Sequence, residues 1–463
     1  MIRILFVVVK TLLVLFAAAG VNSAGFAPFV ETTDLTGRAT KPGDQSLYLQ
    51  MEAQDAGWDT YLPGRVYGGY RYGPTMILNA DGSIDRWCAT NGTYGYWDVI
   101  TYSRLYQDGK ARTKEIVAVK PTAGAMDALS NCDPGAIKFG GWYYIGYTST
   151  MDERGVDNDV YVARSKTPYG PFEKWNGRGW GGEPAPVIDW KGDPDAAGAM
   201  EPSFVLMGDT LYIYNNWSGP VLVSTADATD ENWPATIVMH GEAIPDSHPD
   251  IGDVGDSKDV KYVDQFGRFI AVCATRRFTD DSYISVWESF DGLTFRPCGT
   301  VKANTARKLH NCGISGRSDG HICAGDPVYL SYAYGPGWGT WATRMHLVTL
   351  SLSDAPKINP ENEQNLDIPV ETHKERAVPE VITIAAKEPV LTVEKSKHIT
   401  IFAYDSDNFN TPVLFGVKYS GYDASLIRIK GNRVKALGVG TTRVTATWKG
   451  YSCDFVVHAQ KGE

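Results

Sequence analysis

Between residues 67 and 355 one pattern of strands and turns recurs loosely, about every 55–70 residues, and a repeat of that length made only of strands has few ways to fold. Each unit runs through a short entry, an apolar strand, a Gly turn, a Tyr-rich strand, a variable loop and a strand ending in Ser. The second unit is the clearest. Asp133-Pro134-Gly135-Ala136-Ile137 leads to Gly140-Gly141, then to Trp142-Tyr143-Tyr144-Ile145, and after a loop to Asp159-Val160-Tyr161-Val162-Ala163-Arg164-Ser165. The others enter at Gly73-Pro74, Glu201-Pro202, Asp259-Val260 and His310-Asn311. Each unit holds about four short strands joined by hairpin turns, the size of a propeller blade. Five units predict an all-β fold, a five-bladed β-propeller over residues 24–355.

From about 356 to 380 the chain is polar and punctuated by Pro356, Pro360, Pro369 and Pro379, the composition of a linker. Alternating strands return over 381–463, where fewer than about 90 residues without helical periodicity predict a small β-sandwich. Forty-eight Gly and 25 Pro supply turns for both parts. The 25 Tyr and 13 Trp suit strands, and they equally suit stacking on sugar rings. A net charge of −10 argues against a nucleic-acid partner, which calls for clustered Lys and Arg.

Residues 1–23 read as a signal peptide: Arg3 is the basic start, Ile4–Val9 and Thr11–Ala19 the apolar core, and Val21-Asn22-Ser23 the cleavage signal. Lys10 splits the apolar run, so no membrane span is expected. The expected location is secreted or periplasmic, where disulfides form. Seven Cys are present, and Cys312 with Cys323, or Cys273 with Cys298, are candidate pairs.

Three units begin with a carboxylate: Asp133, Glu201 and Asp259. The innermost strands of a propeller line one funnel, so their entry residues converge at its rim. Two carboxylates flanking a glycosidic bond, one protonated and one ionised, are what sugar hydrolysis requires.

The units resemble those of the five-bladed glycoside hydrolases of family 43 and the related families 32 and 62. The resemblance rests on the Asp133-Pro134-Gly135-Ala136-Ile137 strand followed by Gly141-Trp142-Tyr143-Tyr144. It rests also on the blade ends Ser165-Lys166-Thr167-Pro168-Tyr169-Gly170-Pro171-Phe172 and Ser289-Phe290-Asp291-Gly292-Leu293-Thr294-Phe295. The C-terminal segment from Asn432 to Thr447 resembles a group 2 bacterial Ig-like domain, which implies a bacterial source. The resemblance implies an inverting glycosidase with a carbohydrate substrate, Glu201 as acid and Asp133 as the Asp that tunes it. The position of the base holds Gly73, so Asp259, or less well Asp98, is the expected substitute. His310 matches a fifth-blade His near the axis, sometimes beside calcium; no cofactor is required, and a structural calcium is the one ion allowed for. His321 is a weaker candidate. The Asp152–Asp159 loop is rich in oxygen but lacks EF-hand spacing. Trp217 and Trp142, with Trp97, Trp338 and Trp341, are candidate sugar platforms. A non-catalytic carbohydrate-binding propeller is the alternative that Gly73 favours. A sialidase would use the Asp291 turn but needs an Arg cluster, and a polysaccharide lyase needs a Tyr or His base.

Overall fold

The computed structural model describes residues 43–61, 70–91, 97–105, 113, 115–254, 258–337, 340–368, 381–386, 389–405, 410–413 and 415–461. The signal-peptide segment and Trp338 lie outside the described residues.

Five antiparallel sheets form a five-bladed β-propeller. The innermost strands are Arg71–Leu78, Cys132–Phe139, Ala199–Met207, Lys258–Val263 and Leu309–Ile314, in chain order. Each packs on the next, and the fifth returns to the first. The strands are buried on both faces because each blade is sandwiched between two others, and they bury charged residues such as Asp85, Arg86 and Arg268 along with apolar ones. Near the axis the backbones almost touch. A Cβ on Gly135 would lie 1.9 Å from the Pro202 carbonyl oxygen, and one on Gly313 2.0 Å from that of Pro74. Only glycine allows those approaches.

The ring is closed by a strand that lies outside the repeat. Tyr48–Ala53 pairs antiparallel with Ala342–Ser353 and becomes the outermost strand of the fifth blade. It is tied to the fourth blade as well: Leu49 N–H donates to Glu288 Oε2 (2.9 Å), and Arg268 Nη1 donates to the Leu47 carbonyl (2.8 Å) and to Glu288 Oε2 (2.7 Å).

One end of the central channel is sealed. Residues 315–322 leave the fifth inner strand and cross beneath the other four, each of which gives them one N–H. Leu78 donates to Gly316 O (2.7 Å), Lys138 to Ser318 O (2.7 Å), Leu206 to Asp319 O (2.9 Å) and Tyr262 to Gly320 O (3.0 Å). His321 belongs to this plug. Its Nδ1 bonds Asp264 (2.6 Å) and its Nε2 the Leu206 carbonyl (2.8 Å), which removes it from the list of site candidates. The opposite end, where the inner strands begin, stays open.

The expected linker is fastened to the propeller over residues 356–368. Asn365 Nδ2 donates to the Ser282 and Ala306 carbonyls at 2.8 and 3.1 Å, Leu366 N–H to Thr305 O at 2.8 Å, and Lys357 N–H to Cys298 O at 3.1 Å. The remainder, 369–380, lies outside the described residues. C-terminal to it, the described residues form ten strands in three small sheets. They enclose a core of their own that includes Ile399, Val434, Val444 and Phe455.

None of the seven Cys is in a disulfide. Cys273 and Cys298 lie on strands separated by Tyr283–Ser289, two inter-strand spacings or about 10 Å apart, beyond the reach of a disulfide. Cys312 lines the cavity near the strand entries, whereas Cys323 follows the basal plug. Neither expected pair forms.

Candidate active site

Three of the inner strands begin with the same device. A β-bulge interrupts the ladder between Tyr72 and Thr75, between Cys132 and Gly135, and between Met200 and Ser203. In each bulge one residue before a Pro takes a left-handed backbone: Gly73 (φ 57°), Asp133 (φ 47°) and Glu201 (φ 55°). A bulge re-aims a side chain out of the strand's alternation, and here it turns Asp133 and Glu201 into a common space. Non-glycine residues hold such angles at a cost of about 1–3 kcal/mol, and that strain is typical of functional positions. A fourth shift, between Leu309 and Cys312, frames His310 and Asn311.

Glu201 is nearly buried, and both its oxygens have partners. Asn311 Nδ2 donates to Oε1 (2.8 Å) and also approaches Asp133 Oδ1 (3.3 Å). Asn216 Nδ2 donates to Oε2. Asn216 is itself oriented by Lys258, whose Nζ donates to its Oδ1 at 2.7 Å. One amide nitrogen thus spans the two acids, which places Asp133 alongside Glu201 rather than across from it. A neighbouring negative charge favours the protonated form of a carboxyl group.

Asp259 lines the small cavity at the strand entries with Asp133 and Glu201, but its oxygens are engaged. Oδ1 accepts from Ser203 Oγ (2.7 Å) and from Lys261 Nζ, and Oδ2 accepts from the Ile314 N–H (2.9 Å). It stitches three inner strands together, paired with the Lys261 cation, and does not line the larger cavity above.

Above this floor opens a cavity of about 470 Å³ lined by Tyr72, Trp97, Asp98, Asp133, Glu201 and His310, among others. His310 is buried, with its ring 4.2 Å from Trp341 and 5.4 Å from Tyr72. Burial, aided by the nearby Arg277 cation, holds its pKa well below the ordinary histidine value. The ring is neutral, and Arg277 Nη1 donates to Nδ1 at 3.2 Å. Asp98, from the third strand of the first blade, accepts from Tyr70 OH on Oδ1 (2.6 Å) and from Tyr72 OH on Oδ2 (3.0 Å). Burial, with the nearby Asp98 and Asp133 carboxylates, pushes the Tyr72 hydroxyl pKa well up, so it acts as a donor and not as a base.

Of the expected platforms, Trp97 lines the cavity and Trp341 backs its wall. Trp142 does not belong to the site. It pairs with Phe139 at the far end of its blade, about 20 Å along the strand from Asp133, where its ring stacks under Lys166 and Arg164. Trp217 packs against Trp190 (4.6 Å) and is not part of the cavity wall. The Asp291 turn closes on itself, with Oδ1 accepting from the Leu293 and Thr294 N–H groups at 2.8 and 3.1 Å, a purely local role. Asp152 is engaged by Arg154, and among the described residues no group of three or more His, Cys, Asp or Glu is set to hold a metal ion. Asn311 and Asn216 were absent from the expected set. Aligning the five strand entries points to Asn311, whereas Asn216 ends a second strand and carries no such signal.

No family model matches the sequence, and no curated protein matches it. Several solved structures are similar. A family 43 (GH43_1) enzyme from Xanthomonas citri complexed with xylotriose has a TM-score of 0.47 at 14% identity, covering 67% of this chain and 97% of that one. Zg3597, a family 117 glycoside hydrolase of Zobellia galactanivorans, has a TM-score of 0.45 at 14% identity, covering 67% and 92%. The α-L-arabinofuranosidase PaAbf62A from Podospora anserina has a TM-score of 0.43 at 12% identity, covering 65% and 97%. Among the described residues no helix is long and apolar enough to cross a membrane.

Proposed function

We propose that this chain is a secreted glycoside hydrolase that cleaves a polysaccharide or oligosaccharide with inversion, Glu201 donating the proton to the leaving oxygen. The observation that carries the proposal is the shared Asn311 amide: it joins Glu201 and Asp133, each on a strained bulge, at the floor of one cavity. Asp133 is held beside Glu201 by that amide, the place of a residue that positions the acid. Tyr72, Trp97 and His310 give the cavity an aromatic wall suited to a pyranose face, and at about 470 Å³ it lies within the usual range for ligand sites. Secretion is supported by the charged start, apolar core and small-residue end of residues 1–23.

The test is hydrolysis of a polysaccharide and oligosaccharide panel by the wild type and by Glu201→Gln. A drop in turnover of about 10²–10⁴ is expected for loss of the general acid. Gly73, at the place where a third carboxylate would stand, favours one rival, a propeller that binds sugar without cleaving it. Binding with no hydrolysis by either protein would establish that rival.

A further inference from the structure

Resting on the hydrolase proposal, the geometry points to Asp98 as the residue that activates water, replacing a base that the first inner strand cannot supply. Three observations converge. Gly73 occupies the left-handed bulge position that carries Asp133 and Glu201 on the next two blades, so the first blade offers no carboxylate from its inner strand. Asp259 is enclosed by Ser203, Lys261 and the Ile314 N–H, and Asp133 sits alongside Glu201 through the Asn311 amide. Asp98 lines the cavity together with Glu201 and reaches it from the first blade, two blades away from the third blade that carries the acid.

The surroundings of Asp98 suit the role. Tyr70 and Tyr72 donate one hydrogen bond to each oxygen, and Ser130 Oγ approaches Oδ2 at 3.4 Å. These donors fix the carboxylate plane, and Asp98, unlike Asp259, lines the cavity that Glu201 shares. Tyr72 is the residue before Gly73, so the inner strand positions a carboxylate through a tyrosine instead of bearing one.

The reaction balances as follows. Asp98 takes a proton from water as the water oxygen bonds to the anomeric carbon. The bond from that carbon to the glycosidic oxygen breaks, and that oxygen takes the proton of Glu201. Asp98 ends protonated and Glu201 ionised, and solvent returns the proton from one to the other.

The test uses a panel substrate that the wild type hydrolyses, with Asp98→Ala, Asp98→Asn and Asp133→Ala assayed with and without sodium azide. For Asp98→Ala, a loss of at least about 10²-fold is expected, with azide restoring turnover and yielding a glycosyl azide of inverted configuration. Azide does the work of the missing base because it needs no deprotonation, and a restored rate also proves that the variant is folded. Asp98→Asn keeps the shape and is expected to lose activity to a similar degree while unfolding within a few degrees of the wild type. Turnover by Asp98→Ala within tenfold of wild type overturns the assignment and leaves the hydrolase standing. So does azide rescue of Asp133→Ala alone. A wild type inert on the whole panel overturns the hydrolase and Asp98 together.

Discussion

Lys258 has only protons to give, so its contact with Asn216 Oδ1 settles which way that amide faces and forces its NH₂ toward Glu201. A buried lysine, an amide and a carboxylate thus act as one unit. Asn216→Ala strips a partner from each neighbour and is expected to destabilise the protein by about 1–3 kcal/mol, measured by urea denaturation. Full stability in that variant would mean that water replaces the amide at no cost. His346 offers a second test at this scale. Its Nδ1–H donates to the Asp55 carbonyl (3.0 Å), so Nε2 accepts from Tyr332 OH (2.6 Å) and the ring is neutral. Burial, chiefly, lowers its pKa from 6.5 to about 4. The unfolded chain takes up a proton on this residue below pH 6.5 that the folded chain refuses. The stability His346 contributes is therefore present above pH 6.5 and lost toward pH 4, at up to about 1.4 kcal/mol per pH unit. The slope of unfolding free energy against pH over that window should be shallower in His346→Gln; equal slopes would refute the assignment.

At the scale of single elements, the strap of residues 356–368 decides where the propeller ends. Asn365 fills a buried niche between Ser282 and Ala306, and Ile358 packs against the core shared by the third and fourth blades. A chain ending at residue 355 loses these contacts, and one ending at 368 keeps them. The shorter form is expected to melt about 5–10 °C lower, at a few degrees per kcal/mol. If the two truncations melt together, the strap contributes nothing. The composition of this segment suggested a linker because Pro and charge mark both free linkers and extended straps. What separates the two is a row of donors and acceptors on the surface it crosses, and that row is contributed by residues more than 50 positions away. The bulges were equally hidden. Asp133-Pro134 and Glu201-Pro202 reveal strand entries, but the left-handed turn that aims both acids inward is a property of two strands in register.

Across the whole molecule, closure depends on a salt bridge as much as on strand pairing. Arg268 and Glu288 are fully buried, and together they hold Leu47 and Leu49 of the N-terminal closing segment. Removing one partner leaves the other charge uncompensated. Glu288→Ala is expected to cost about 3–5 kcal/mol and to free the closing strand, seen as a fall in the denaturation midpoint and as faster amide exchange over 47–53. Loss of stability without faster exchange there would separate the ion pair from ring closure.

The repeat period, the hairpin turns and the alternating strands made the five blades legible in the sequence, because each blade is stabilised mostly by neighbours within about 70 residues. Asp133 and Glu201 were legible for the same reason, since equivalent places in successive repeats meet at the axis. Tertiary structure decided the rest. Asp259 begins a strand as they do, yet Ser203, Lys261 and the Ile314 N–H surround it. Trp142 begins a strand too, but at the opposite end of its blade. Asp98, expected only as the weaker substitute for the base, belongs to a third strand, and the fold brings it to the cavity wall bonded to Tyr70 and Tyr72. The local pattern specifies which strand a residue occupies and which face it takes. The charge it meets, and the end of the barrel-like channel it reaches, depend on chain segments tens to hundreds of residues away.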